Sequence, residues 1–113
     1  MKIEVKGRHF AVTDEIREKI EKRFEKVGKQ VSDLATLEIE LAEEKNPSIR
    51  EKCVAEATLH VKGATLRAKD ASESMGHTVN LVADELARQV KRHRDKRRGR
   101  RESARVEPRP AES

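Results

Sequence analysis

With 113 residues, 42% of them charged and only two aromatic, this chain can build one small aliphatic core. Its lone cysteine excludes an internal disulfide and a cysteine-based zinc site. The net charge of +5 is gathered in one place: Lys91 to Arg101 holds eight Lys or Arg against one Asp, while residues 1–90 come to −1 and residues 102–113 to −1. Such asymmetry points to a polyanionic partner.

The N-terminus has no apolar run of signal-peptide length, and no stretch approaches a membrane span. The chain is therefore expected to be cytoplasmic, with no membrane partner. Ile3 and Val5 alternate with Lys2, Glu4 and Lys6, which predicts a short half-buried strand stopping at Gly7. Thr13 offers a hydroxyl cap, and Asp14 and Glu15 suit the first turn of a helix, where the dipole favours acids. Ile16, Ile20, Phe24, Val27 and Val31 follow at helical spacing, so one helix is expected over about residues 14–30.

Leu37, Ile39 and Leu41 alternate with Glu38 and Glu40 as a second strand; the charged stretch 43–52, with Asn46-Pro47-Ser48, reads as a loop. Ala55, Ala57, Leu59 and Val61 form a third strand. Lys62-Gly63 suits a tight hairpin because glycine tolerates positive φ, and Leu66 and Ala68 mark a fourth strand. A second helix should open near Ser72 to Ser74 and bury Met75, Val79, Val82, Leu86 and Val90. The order β-α-β-β-β-α predicts an α+β fold, a four-stranded sheet with two helices packed on one face. Residues 1–97 would form this domain. Residues 98–113, rich in Arg, Glu and Pro, are expected to be a disordered tail or the start of a linker.

On a helical wheel the first helix separates its charges: Glu18, Glu21 and Glu25 on one side, Lys19, Lys22, Arg23, Lys26 and Lys29 on the other. A solvated, salt-bridged helix face is the plain alternative. At the end of the second helix, Arg88, Lys91, Arg92, Arg94, Lys96, Arg97 and Arg98 lie on the exposed side or all round the axis. One or two cations suffice to complement a helix C-terminus, so this run calls for a polyanion. Lys22, Arg23, Lys26, Lys29, Arg88, Lys91, Arg92, Arg94, Lys96, Arg97 and Arg98 are the candidate RNA-binding residues. The chain lacks Tyr and Trp, and Phe24 belongs to the core stripe, which argues against base stacking. Recognition through phosphates and the shape of folded RNA is expected instead.

Nothing in the sequence suggests catalysis. His9, His60, His77 and His93 stand at no ligand spacing, and His93 is read as part of the basic run. Cys53 has no nucleophile-activating companions and reads as a semi-buried filler. The glycines are isolated, so no phosphate loop exists. No enzyme activity, metal, cofactor or small-molecule substrate is expected.

Two segments carry a family resemblance. The first is Gly7-Arg8-His9-Phe10-Ala11-Val12-Thr13-Asp14-Glu15-Ile16-Arg17-Glu18; the second runs from Ala57-Thr58-Leu59-His60-Val61-Lys62-Gly63 to Ala83-Asp84-Glu85-Leu86-Ala87-Arg88-Gln89-Val90-Lys91-Arg92-His93. Together with the element order they resemble the ribosome hibernation-promoting factors and ribosome-associated translation inhibitors, over about residues 1–97. The sequence departs from that pattern at Ser74-Met75-Gly76, where the family commonly has Asp-Met-Tyr, and has Asn80 where many members have Asp. The resemblance implies a fold like that of double-stranded-RNA-binding domains. It also implies binding to the small ribosomal subunit and its rRNA at the decoding region, a block to messenger and transfer RNA, and inhibited translation under stress or in stationary phase. Some members carry a further C-terminal domain that pairs ribosomes, so a ribosome-dimer context is open if such a domain follows this chain. The competing readings are a general double-stranded RNA-binding module without ribosome specificity, and an interaction protein whose basic end is only a tether.

Overall fold

The computed structural model describes residues 1–46 and 48–105, with side chains described as far as Lys96. Seven elements follow one another: β1 Lys2–Arg8, α1 Asp14–Arg23, α2 Glu25–Lys29, β2 Thr36–Glu43, β3 Cys53–Val61, β4 Ala64–Ser72 and α3 Met75–Arg105. The strands form one sheet in the order β1-β2-β3-β4. β1 and β2 run parallel, and the other neighbours are antiparallel. A parallel pair cannot be joined by a hairpin, and α1 and α2 supply the crossover.

The alternation predicted for the strands is what the sheet uses. Leu37, Ile39 and Leu41 of β2 and Ala55, Ala57 and Leu59 of β3 are buried beneath the helices. Glu38 and His60, each next to a buried residue along its strand, face solvent on the other side. The side chains under α3 are small, with Ala57 opposite Ala68 across β3 and β4, so the helix can lie close to the sheet. All five expected residues of α3, Met75, Val79, Val82, Leu86 and Val90, are buried, and so are Ile20, Phe24 and Val27 from the first stripe. Ile16 and Val31 are partly buried at the ends of that stripe.

Two turns depend on glycine. The β3–β4 hairpin turns through Lys62-Gly63, with Gly63 at φ 80°. After β1 the chain doubles back through His9, at φ 55°, and a side-chain carbon on Gly7 would stand 2.2 Å from the Phe10 carbonyl oxygen. The Thr13 hydroxyl then accepts from the Ile16 amide at 3.2 Å, which is the cap expected of it.

The structure corrects the sequence reading in three places. The single helix expected over 14–30 is divided at Phe24, whose ψ of 4° leaves the helical range, although Gly28 N still donates to Phe24 O at 3.0 Å. β1 does not stop at Gly7 but includes Arg8, and β4 extends from the expected Leu66–Lys69 to Ala64–Ser72. The backbone of α3 runs to Arg105 and so enters the stretch 98–113 expected as a tail or linker. Arg holds four of the eight positions from 98 to 105, beside one Glu and one Ala, and each of these is a good helix former. Residues 106–113 of that expected tail lie outside the described residues.

Candidate nucleic-acid interface

α3 is placed by a knot of polar side chains at its first turn. Thr78, fully buried, donates its hydroxyl to the Cys53 carbonyl at 2.8 Å and lies 2.6 Å from the Ser72 hydroxyl. Ser74 accepts from the His77 amide at 3.5 Å, and its carbonyl receives the Ser72 hydroxyl at 2.7 Å. The start of α3 is thereby tied to the ends of both β3 and β4. Further along, Gln89 Nε2 donates to the Arg67 carbonyl of β4 at 2.6 Å. These contacts fix both the position and the rotation of the helix.

The rotation decides which charges meet. A side-chain carbon on Gly76 would lie 3.2 Å from Lys19 Nζ and 3.6 Å from Lys19 Cε. Lys19 of α1 therefore lies across α3, and the basic side of α1 faces α3. Ala83 and Ala87 lie two and three turns on from Gly76 along the same flank of α3, followed by Lys91 and Arg94 at helical spacing. Small residues thus sit where the two helices are close, and cations where α3 leaves the body of the domain.

Among the candidate residues, Lys22, Arg23, Lys26, Lys91, Arg92, Arg94 and Lys96 are exposed, with no carboxylate within 4 Å among the described residues. Lys29 is paired with Glu25 at 3.7 Å, and Arg88 with Glu85 at 2.6 Å. The side chains of Arg97 and Arg98 lie outside the described residues. The plain reading of α1 and α2 as a salt-bridged face holds for Lys29 alone among their basic candidates. Lys19 was legible on the helical wheel, but only the structure shows it reaching α3.

His93 does not extend the basic surface. It falls on the same side of α3 as Leu86 and Val90, is only partly exposed, and its Nε2 is buried with no hydrogen-bond partner among the described residues. Asn80, one turn beyond Gly76, likewise has a buried Oδ1 without a partner. His77 is exposed at the start of α3. Cys53 is half-buried at the start of β3, and burial, then Glu43, push its thiol above the ordinary range. His60 lies 3.3 Å from Glu38 on the outer face of the sheet. Among the described residues no three His, Cys, Asp or Glu stand together as a metal site, and no helix is long and apolar enough to cross a membrane.

Comparison with known proteins agrees with this architecture. Residues 3–98 match the family described as Sigma 54 modulation protein / S30EA ribosomal protein. A ribosome hibernation promotion factor of a Picosynechococcus species is 33% identical over 100 residues, covering 88% of this chain and 52% of that protein. The chain thus spans about half the length of that relative. A ribosome hibernation promoting factor of Azotobacter vinelandii is 30% identical over 96 residues, covering 85% of each chain. Among solved structures, the N-terminal domain of Thermus thermophilus Protein Y superposes with a TM-score of 0.72 at 23% identity, over 82% of this chain and 99% of that one. A ribosomal subunit interface protein from Coxiella burnetii gives 0.71 at 22%, over 84% and 99%. The chain belongs to the Sigma 54 modulation protein / S30EA ribosomal protein family, the family of the ribosome hibernation promoting factors.

Proposed function

We propose that this chain is a cytoplasmic ribosome hibernation factor that binds rRNA of the small ribosomal subunit at the decoding region. There it blocks messenger and transfer RNA and so inhibits translation under stress. It acts by occupying a place, with no cofactor and no bond made or broken. The family supports the ribosome as target. The observation that carries the mode of binding is the seat of Lys19 over Gly76, which turns the basic side of α1 toward α3. Lys22, Arg23, Lys26, Lys29, Arg88, Lys91, Arg92, Arg94, Lys96, Arg97 and Arg98 then serve as one phosphate-binding surface carried by a domain of residues 1–97. The acidic side of α1 and α2, with Glu18, Glu21 and Glu25, faces away from the RNA.

Binding isotherms on small subunits at several salt concentrations test this reading. Several phosphates neutralised at once release condensed counterions, so affinity should fall steeply as salt rises. Reversing charge at Lys91, Arg92 and Arg94 should flatten the log–log slope by about two to three units and weaken binding severely. Reversing Glu18, Glu21 and Glu25 should do much less. The wild-type chain in excess should also halt a cell-free translation reaction. Unchanged affinity and slope in the basic triple variant would remove the end of α3 from the site, and normal synthesis at saturating protein would remove the inhibitory role. Equal affinity for naked duplex RNA would favour a general duplex-binding module instead.

A further inference from the structure

The candidate cations on α3 are not equally free. Arg88 Nη2 donates to Glu85 Oε2 at 2.6 Å, one turn back on the same helix. The other oxygen of that carboxylate, Oε1, receives Gln89 Nε2 at 3.3 Å, and the same Gln89 nitrogen donates to the Arg67 carbonyl of β4 at 2.6 Å. The carboxylate is therefore not on a loose side chain. Gln89, anchored to the sheet, fixes its orientation, and it draws the guanidinium toward the β4 flank of α3, away from α1. Hydrogen bonding from Arg88, then from Gln89, holds the Glu85 carboxyl below the usual carboxylate range, so it is ionised throughout the physiological pH range. Arg92, one turn further on, adds to the same field.

A carboxylate and a phosphate offer a guanidinium the same thing, two anionic oxygens in a plane. We propose that Glu85 is a built-in competitor for phosphate, holding Arg88 in reserve and thereby setting how tightly the chain binds RNA. The inference rests on the phosphate-binding reading of α3. Both side chains are substantially exposed, 64% for Arg88 and 41% for Glu85, so water screens the pair and a phosphate can displace the carboxylate at little cost. Displacement has a second consequence. It leaves the Glu85 charge beside the incoming phosphate, and that repulsion also weakens the complex. A site built this way binds a dense phosphate array, where many contacts form together, and discriminates against isolated phosphates.

Glu85→Gln removes the charge and keeps an amide oxygen that can accept from Arg88 and Gln89. Asp84→Asn makes the same change in net charge at the adjacent exposed position, which has no cation within ion-pair distance among the described residues. Isotherms on small subunits and on a short RNA duplex, with the full chain, compare the two. Glu85→Gln should tighten binding about three- to fivefold, and Asp84→Asn less than twofold. In an Arg88→Ala background the Glu85→Gln gain should fall to that of Asp84→Asn. Saturating duplex should also raise the pH at which Glu85 titrates, followed by carboxyl NMR, because Arg88 has left it. Equal effects of the two substitutions, or a gain that survives Arg88→Ala, would overturn the proposal. Loss of small-subunit binding by every chain, with the duplex pattern intact, would sink the ribosome reading and leave the role of Glu85 standing. A wild-type chain that bound neither RNA at low salt would overturn both.

Discussion

Thr78→Val is the sharpest probe of how α3 is held. Valine keeps the branched shape of threonine and puts a methyl in place of the hydroxyl, so the hydrogen bonds at this fully buried position are lost at nearly constant side-chain volume. The hydroxyl has one proton and two lone pairs. The Thr78 hydroxyl can give that proton to the Cys53 carbonyl at 2.8 Å or the Ser74 carbonyl at 3.0 Å, and it lies 2.6 Å from the Ser72 hydroxyl, where either oxygen can donate. Ser72 retains an alternative acceptor in the Ser74 carbonyl at 2.7 Å, whereas the Cys53 carbonyl loses its side-chain donor. One lost bond costs about 1 kcal/mol net, and a stranded buried acceptor raises this to about 1–3 kcal/mol. In a domain of this size, 1 kcal/mol moves the melting temperature by roughly 4–8 °C. Thr78→Ser supplies the contrast, because it keeps the hydroxyl and loses one methyl, at about 1 kcal/mol. Urea melts followed by circular dichroism should therefore rank wild type above Thr78→Ser and Thr78→Ser above Thr78→Val. A valine variant within about half a kcal/mol of wild type would show that the knot contributes no net stability. A serine variant less stable than the valine variant would assign the role of Thr78 to its methyl group.

Other substitutions test the packing and the thiol. Leu86→Ala should cost about 2–5 kcal/mol in the same melts, since Leu86 is fully buried between α3 and the sheet; a loss under about half a kcal/mol would contradict the observed rotation of α3. Gly76→Ala should stabilise by up to about 1 kcal/mol, because only the flexible tip of Lys19 stands in the way, while Gly7→Ala should destabilise, because the Phe10 carbonyl is backbone; the opposite order would show that Lys19 is rigidly seated. Cys53 should be alkylated more slowly at pH 7 than a free cysteine peptide, with the rate climbing only above the ordinary thiol range. The raised pKa leaves less thiolate at any given pH, and a rate equal to that of the peptide would refute the shift.

The fold was readable from periodicity because each element buries one face only. Strands alternating Leu37-Glu38-Ile39-Glu40-Leu41 and the α3 stripe ending at Val90 admit few other layers. The division of the first helix at Phe24 was not readable, because neither glycine nor proline marks it and the break is a small change of one backbone angle. The end of α3 is not marked in the sequence either. Its composition suits a helix and a solvated chain equally well, and apolar periodicity, the cue being followed, stops at Val90. The candidate surface was legible as two groups of cations on two helices. What joined them, Lys19 against Gly76, depends on tertiary proximity between residues 57 positions apart. His93 misled for a related reason: the chemistry of its neighbours in sequence suggested charge, whereas its phase on the helix puts it on the side that faces the core. The engagement of Arg88 by Glu85 at i,i+3 is an ordinary helical spacing, and only the anchoring of Gln89 to β4 sets it apart from other such pairs.

An open sheet has two borders where hydrogen-bonding groups await another strand, and such borders invite chains to stick to one another. This protein guards each border differently. On β4, the amide of Gln89 reaches down from α3 and occupies the Arg67 carbonyl, so the helix acts as a plug on the strand beneath it. On β1, Lys2, Glu4, Lys6 and Arg8 present charge along the free margin, and Lys2 and Arg8 are held by Glu4 and Glu40. An incoming strand would have to strip water from those charges before pairing. Both features raise the cost of edge-to-edge pairing between copies of this chain, whose core beneath is thin and almost free of aromatic residues.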